Sequence, residues 1–90
     1  MIYRLKVIYK KFTGRDKKIS GKIVEESKRS YSISVDSTDG YFEQVDSLFH
    51  EIAHFIIWTA FPTMDKTIAE NICYDVGKAA LTAFRRRLDA

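Results

Sequence analysis

The hydrophobic pattern changes period once along the chain, and the change falls in the stretch DSTDG at residues 36–40. Before it the pattern alternates. Tyr3, Leu5, Val7 and Tyr9 lie on one face of an extended segment, with Arg4, Lys6 and Lys10 on the other. That is the period of two of a half-buried strand. Ile19, Gly21 and Ile23 begin a second strand. In a third, Tyr31, Ile33 and Val35 alternate with Ser32, Ser34 and Asp36. Residues 12–18 and 26–30 carry turn chemistry, and the short connections favour an antiparallel meander. After the capping residues of DSTDG a helical period takes over. Val45, Leu48, Phe49, Ile52 and Ile56 form one stripe, predicted to lie on the sheet, and Pro62 ends or closely follows that helix. A second helix carries Ile68, Ile72, Val76, Ala80 and Ala83, widened by Cys73 and Phe84. The expected fold is α+β. Strands over about 2–36 form a three-stranded antiparallel sheet, followed by helices over about 41–60 and about 65–88, in one domain spanning residues 1–90.

Composition removes several functions. The chain is 46% hydrophobic and 13% aromatic, enough for a small core, and 30% charged. The longest apolar run, residues 55–61, is interrupted by Thr59. It falls short of the roughly 18 residues a membrane span needs, so no membrane partner is expected. The opening MIYRLKVIYKK has charges throughout and no apolar core of a secretory signal. The single cysteine, Cys73, excludes an internal disulfide and any multi-cysteine zinc site, and fits a reducing compartment, so a cytoplasmic location is expected. The net charge of +3 is too small to require a polyanion. The RRR run at 85–87 suits a helix C-terminus. The lysines near Tyr3, Tyr9 and Phe12 suit a solvated strand face, so nucleic acid is not the expected partner.

Both histidines of the chain fall in LFHEIAHFI, residues 48–56. At about 100° per residue, His50 and His54 are one turn apart on the same face and nearly opposite the apolar stripe. Two imidazoles at this spacing can each give one nitrogen to a single zinc ion. Glu51 lies about 100° round from His50, where it flanks such an ion instead of binding it. It can act as general base toward a water that the metal has made acidic, with a peptide carbonyl as electrophile. The plainer alternative is an ordinary helix with two surface histidines. The placed glutamate, the small Ala53 and the apolar flanks count against it.

His50-Glu51-Ile52-Ala53-His54 matches the HExxH signature of zincin metallopeptidases, and the wider pattern resembles the very small metallopeptidases of phages and other mobile elements. The resemblance covers roughly residues 30–88, from a strand such as YSISVD through LFHEIAHFI to a second helix with a glutamate near its start. It implies zinc ligation by His50 and His54, general-base catalysis by Glu51, and a peptide or protein substrate. It also implies that the strand at 31–35 lines the cleft and pairs with an extended peptide. Larger members of the family it resembles include peptidases that cut the repressors of mobile elements.

A catalytic zinc site takes a third protein ligand. No further histidine exists, and Glu70, early in the second helix, is the expected carboxylate. Gly77 on the same helix would let the two helices approach closely. A competing role for Glu70 is a capping box with Thr67, bonding the Thr67 amide. Asp75 and Asp46 are rival ligands or outer-shell acceptors, and Asp46 also reads as a solvated acid. Tyr74, one turn past Glu70, is the candidate oxyanion donor or else a core tyrosine. Trp58 and Ile57 would shape a specificity pocket or the core. The alternative function is a zinc-binding interaction protein, catalytically idle, that blocks a host or bacterial partner. An exposed edge strand and a short C-terminal helix invite a homodimer.

Overall fold

The computed structural model describes residues 2–89; Met1 and Ala90, the ends of the expected 1–90 domain, lie outside them. Strand β1 spans Arg4–Lys10, β2 Gly21–Ser27 and β3 Ser30–Asp36. Helix α1 spans Tyr41–Ala60 and α2 Lys66–Asp89. The fold is α+β, a three-stranded sheet followed by two helices. The two helices start and stop within a residue of their expected bounds.

The sheet is mixed, which corrects the antiparallel meander. Its order is β1-β3-β2. β3 pairs antiparallel with β2, and β1 pairs parallel with β3, Val7 opposite Ile33. The β2–β3 connection is a tight turn through Lys28 and Arg29, the latter at φ 63°, so these two strands must be neighbours. The β1–β2 connection is longer and contains a 3-10 turn at Gly14–Lys18, entered through Gly14 at φ 60°. It carries β2 past the position that β3 then fills. β3 therefore has both edges paired and cannot take a peptide strand, as its expected role required. The free edge on that side of the sheet belongs to β2.

Centrality explains the burial of β3. Ile33 and Val35 are fully buried, each worth about 1.5–3 kcal/mol. Ser32 and Ser34 on the opposite face are buried too, because they are short side chains between longer neighbours. One such screen is the Lys6–Glu26 pair at 3.7 Å, reaching from β1 to β2. Asp36 ends the strand: its Oδ1 accepts from the Thr38 amide at 3.0 Å and the Thr38 hydroxyl at 2.7 Å.

Helix α1 lies between the sheet and α2, and among the described residues α2 touches α1 alone. This sandwich redistributes the expected stripes. Phe55 meets Tyr31 of β3, ring centroids 5.2 Å apart. Ala53 and Ile57 pack with Ala69 and Cys73 of α2. Phe49, Ile52 and Ile56, expected on the sheet, instead line an open apolar groove with Ile72 and Val76, and Ile56 is 49% exposed. On α2 the contact face is the small-residue row Ala69, Cys73, Gly77, all buried, while Ile68, Ile72 and Val76 stay partly exposed. The physical reason is separation. A Cβ on Gly77 would lie 2.9 Å from the Asp46 carbonyl oxygen, so the helices touch backbone to side-chain-free backbone. Gly77→Ala is expected to force them apart and cost about 1–3 kcal/mol, the range for overpacking, read as a lowered urea midpoint.

Candidate metal centre

The two contacts of α1 leave a cleft on one flank, between the free edge of β2 and α2. Ser20 and Gly21, Asp46, Ser47, His50 and Glu51, and Tyr74 line it, around a volume of about 270 Å³. Gly21 makes the cleft possible. A Cβ there would meet the Ser47 Cβ at 3.3 Å and the Glu51 Cγ at 3.4 Å, so only glycine lets α1 seat Glu51 against the start of β2 without adjustment. Neither Gly21 nor Ser47 stood out as a site residue in the sequence. An isolated glycine in a strand pattern is the signal, since it marks close approach of another element.

His50 and His54 lie one turn apart, their rings tilted with centroids 5.0 Å apart. Their Nε2 atoms converge on one carboxylate: Glu70 Oε1 is 2.9 Å from His50 Nε2, and Glu70 Oε2 is 3.0 Å from His54 Nε2. Glu51 Oε1 lies 4.0 Å from His50 Nε2. The ligand atoms of His50, Glu51 and His54 lie within 4.8 Å of one another, a group that could hold a metal ion.

The donor chemistry fits a divalent cation. Two imidazole nitrogens and a carboxylate stand side by side, the ligand types of a three-protein-ligand site. Glu70 is available for it because α2 is capped by another residue. Asp65 Oδ1 accepts from the amides of Thr67 at 3.0 Å and Ile68 at 3.1 Å, so the Thr67 amide does not need Glu70. One feature departs from well-supported sites. His54 Nδ1 is buried without a partner among the described residues, whereas a metal-bound histidine ordinarily donates its second N–H to an acceptor worth about 10–100-fold in affinity. Neither rival acid provides it. Asp46 is ion-paired to Lys78 across the helix crossing, and Asp75 is exposed.

Burial holds the Glu51 carboxyl above its ordinary range, more than the neighbouring His54 and His50 pull it down, with Glu70 adding to the rise. Burial also pushes the Cys73 thiol up to about 11, helped by Glu70 and Glu51. The thiol between the helices is thus a neutral core group at pH 7. Tyr74 lines the cleft but is more than half exposed, so it is not a core tyrosine. Lys78 Nζ sits 5.1 Å over its ring. Ile57 belongs to the core, whereas Trp58 is 45% exposed with its ring 5.7 Å from that of His54.

Comparison with protein-family models, with curated proteins and with solved structures finds no significant match for the chain. No helix among the described residues is long and apolar enough to cross a membrane.

Proposed function

We propose that the protein is a minimal zincin-type, zinc-dependent peptidase, with His50, His54 and Glu70 as the zinc ligands. The observation that carries this reading is the convergence of both Nε2 atoms on the Glu70 carboxylate, with Glu51 buried alongside. Zinc, when bound, supplies a Lewis acid that polarises a carbonyl and acidifies water. The chain's own residues do the rest. Glu51 takes a proton from the attacking water and delivers it to the leaving amide nitrogen. Its seat against Gly21 and Ser47 fixes the carboxylate beside His50, where it can reach both the water and the leaving nitrogen. The substrate backbone pairs with the free edge of β2, which passes directly beside the cleft. Trp58 offers an apolar wall next to His54.

Tyr74 is the group in the cleft suited to donate to the oxyanion. Tyr74→Phe is expected to lower kcat by about 10²-fold, the loss seen when one oxyanion donor is removed, with metal content unchanged. The reading as a whole is tested by digesting a peptide library with zinc-loaded chain, with and without a chelator, and reading new termini by mass spectrometry. Chelator-sensitive cuts, restored by stoichiometric zinc, are expected. A chain that holds zinc yet cuts nothing would favour the idle interaction protein.

A further inference from the structure

Charge is distributed unevenly along the chain. Residues 1–24 carry Arg4, Lys6, Lys10, Lys11, Arg15, Lys17, Lys18 and Lys22 against a single acid, Asp16. Residues 25–75 are acidic, with Lys28, Arg29 and Lys66 their only lysines and arginines. The 3-10 turn Gly14–Lys18 concentrates the excess. Its one acid, Asp16, is already neutralised by Lys22 at 2.7 Å. Arg15, Lys17 and Lys18 are exposed and make no ion pair among the described residues.

The turn stands at one end of the cleft. Ile19, which follows it, is extended at φ −121° and ψ 157°, and Ser20 and Gly21 form the cleft lip. Lys18 therefore precedes the lip by two residues, roughly 7 Å along an extended chain. A peptide antiparallel to β2 runs opposite to it. Its C-terminal flank leaves the cleft past Ser20, at the end of β2 that the turn precedes.

We infer that the Arg15–Lys17–Lys18 cluster selects substrates with Asp or Glu in the few residues C-terminal to the scissile bond, an inference that rests on the peptidase reading. The cations lie outside the cleft, so they act on the flank and not on the reacting bond. Their attraction is that of exposed ion pairs and is screened by salt.

The test is cleavage profiling of a peptide library by the zinc-loaded wild type, by the triple variant Arg15→Ala/Lys17→Ala/Lys18→Ala, and by Lys17→Glu/Lys18→Glu. The wild type is expected to favour acidic C-terminal flanks over neutral ones by roughly tenfold in kcat/KM, what two or three exposed ion pairs supply. The preference should shrink at high salt, vanish in the triple variant, and turn toward Lys and Arg in the charge-reversed one. Cleavage of neutral peptides should be the same in all three. A wild type that cuts acidic and neutral flanks equally, or prefers acids only on the N-terminal side, overturns the inference and leaves the peptidase reading standing. No cleavage by any of the three, with zinc bound, overturns both.

Discussion

Glu51→Gln is expected to keep the metal and lose the chemistry. Glutamine fills the same space between Gly21 and the histidines, so the fold and the His50, His54 and Glu70 donors are undisturbed. It cannot accept a proton. Loss of a general base costs about 10²–10⁴-fold, and kcat should fall by that much while zinc content stays the same. The substitution also has a stability signature in the metal-free protein. Burial raises the Glu51 carboxyl in the folded state. A group raised on folding stabilises the protein below its unfolded pKa, and that contribution is lost as pH rises through the folded value. Glutamine stays neutral throughout. Glu51→Gln should therefore raise the melting temperature of the metal-free chain at pH 8, with little change at pH 4. Equal melting temperatures of the two proteins at pH 8 would contradict the burial of a charge there.

The second large effect is stabilisation by zinc. A ligand at about 100 times its Kd adds about 2.7 kcal/mol to the state that binds it. A domain of this size shifts by about 4–8 °C per kcal/mol. Wild type should gain on the order of 10–20 °C in melting temperature. Because Glu70 belongs to α2, one ion would also tie α1 to α2, beside the small-residue packing and the Asp46–Lys78 pair that already join them. His50→Ala and His54→Ala should abolish it. Glu70→Ala should remove most of it, whereas Asp75→Ala should change nothing. A full zinc response in Glu70→Ala would remove Glu70 from the ligand set.

Much of this was legible in the sequence, and the failures have definite causes. The change of period at residues 36–40 located the helices because propensity and pattern agree there. The HExxH spacing put both imidazoles on one face by helix geometry alone. Strand order was misread as a meander, because alternation reports which residues share a face and says nothing about which strand is central. The clue was chemical: β1 and β2 carry Lys and Glu on their outer face, as edge strands do, whereas β3 carries small serines. The apolar stripes were misplaced for a related reason. A wheel assumes one buried face, but α1 has two, toward the sheet and toward α2. The face of α2 that reaches α1 is set by the size of Ala69, Cys73 and Gly77 more than by hydrophobicity. The competing cap for Glu70 was read from Thr67 and Glu70, and the nearer Asp65 takes the Thr67 amide.

The most direct test of the central claim is metal content per chain, by elemental analysis after dialysis against zinc and then buffer, on wild type, His54→Ala and Glu70→Ala. The account predicts about one zinc per wild-type chain, none in His54→Ala, and a clear deficit in Glu70→Ala. A wild type that emerges from dialysis without zinc would contradict it, and LFHEIAHFI would then be a packing helix whose two histidines share a glutamate.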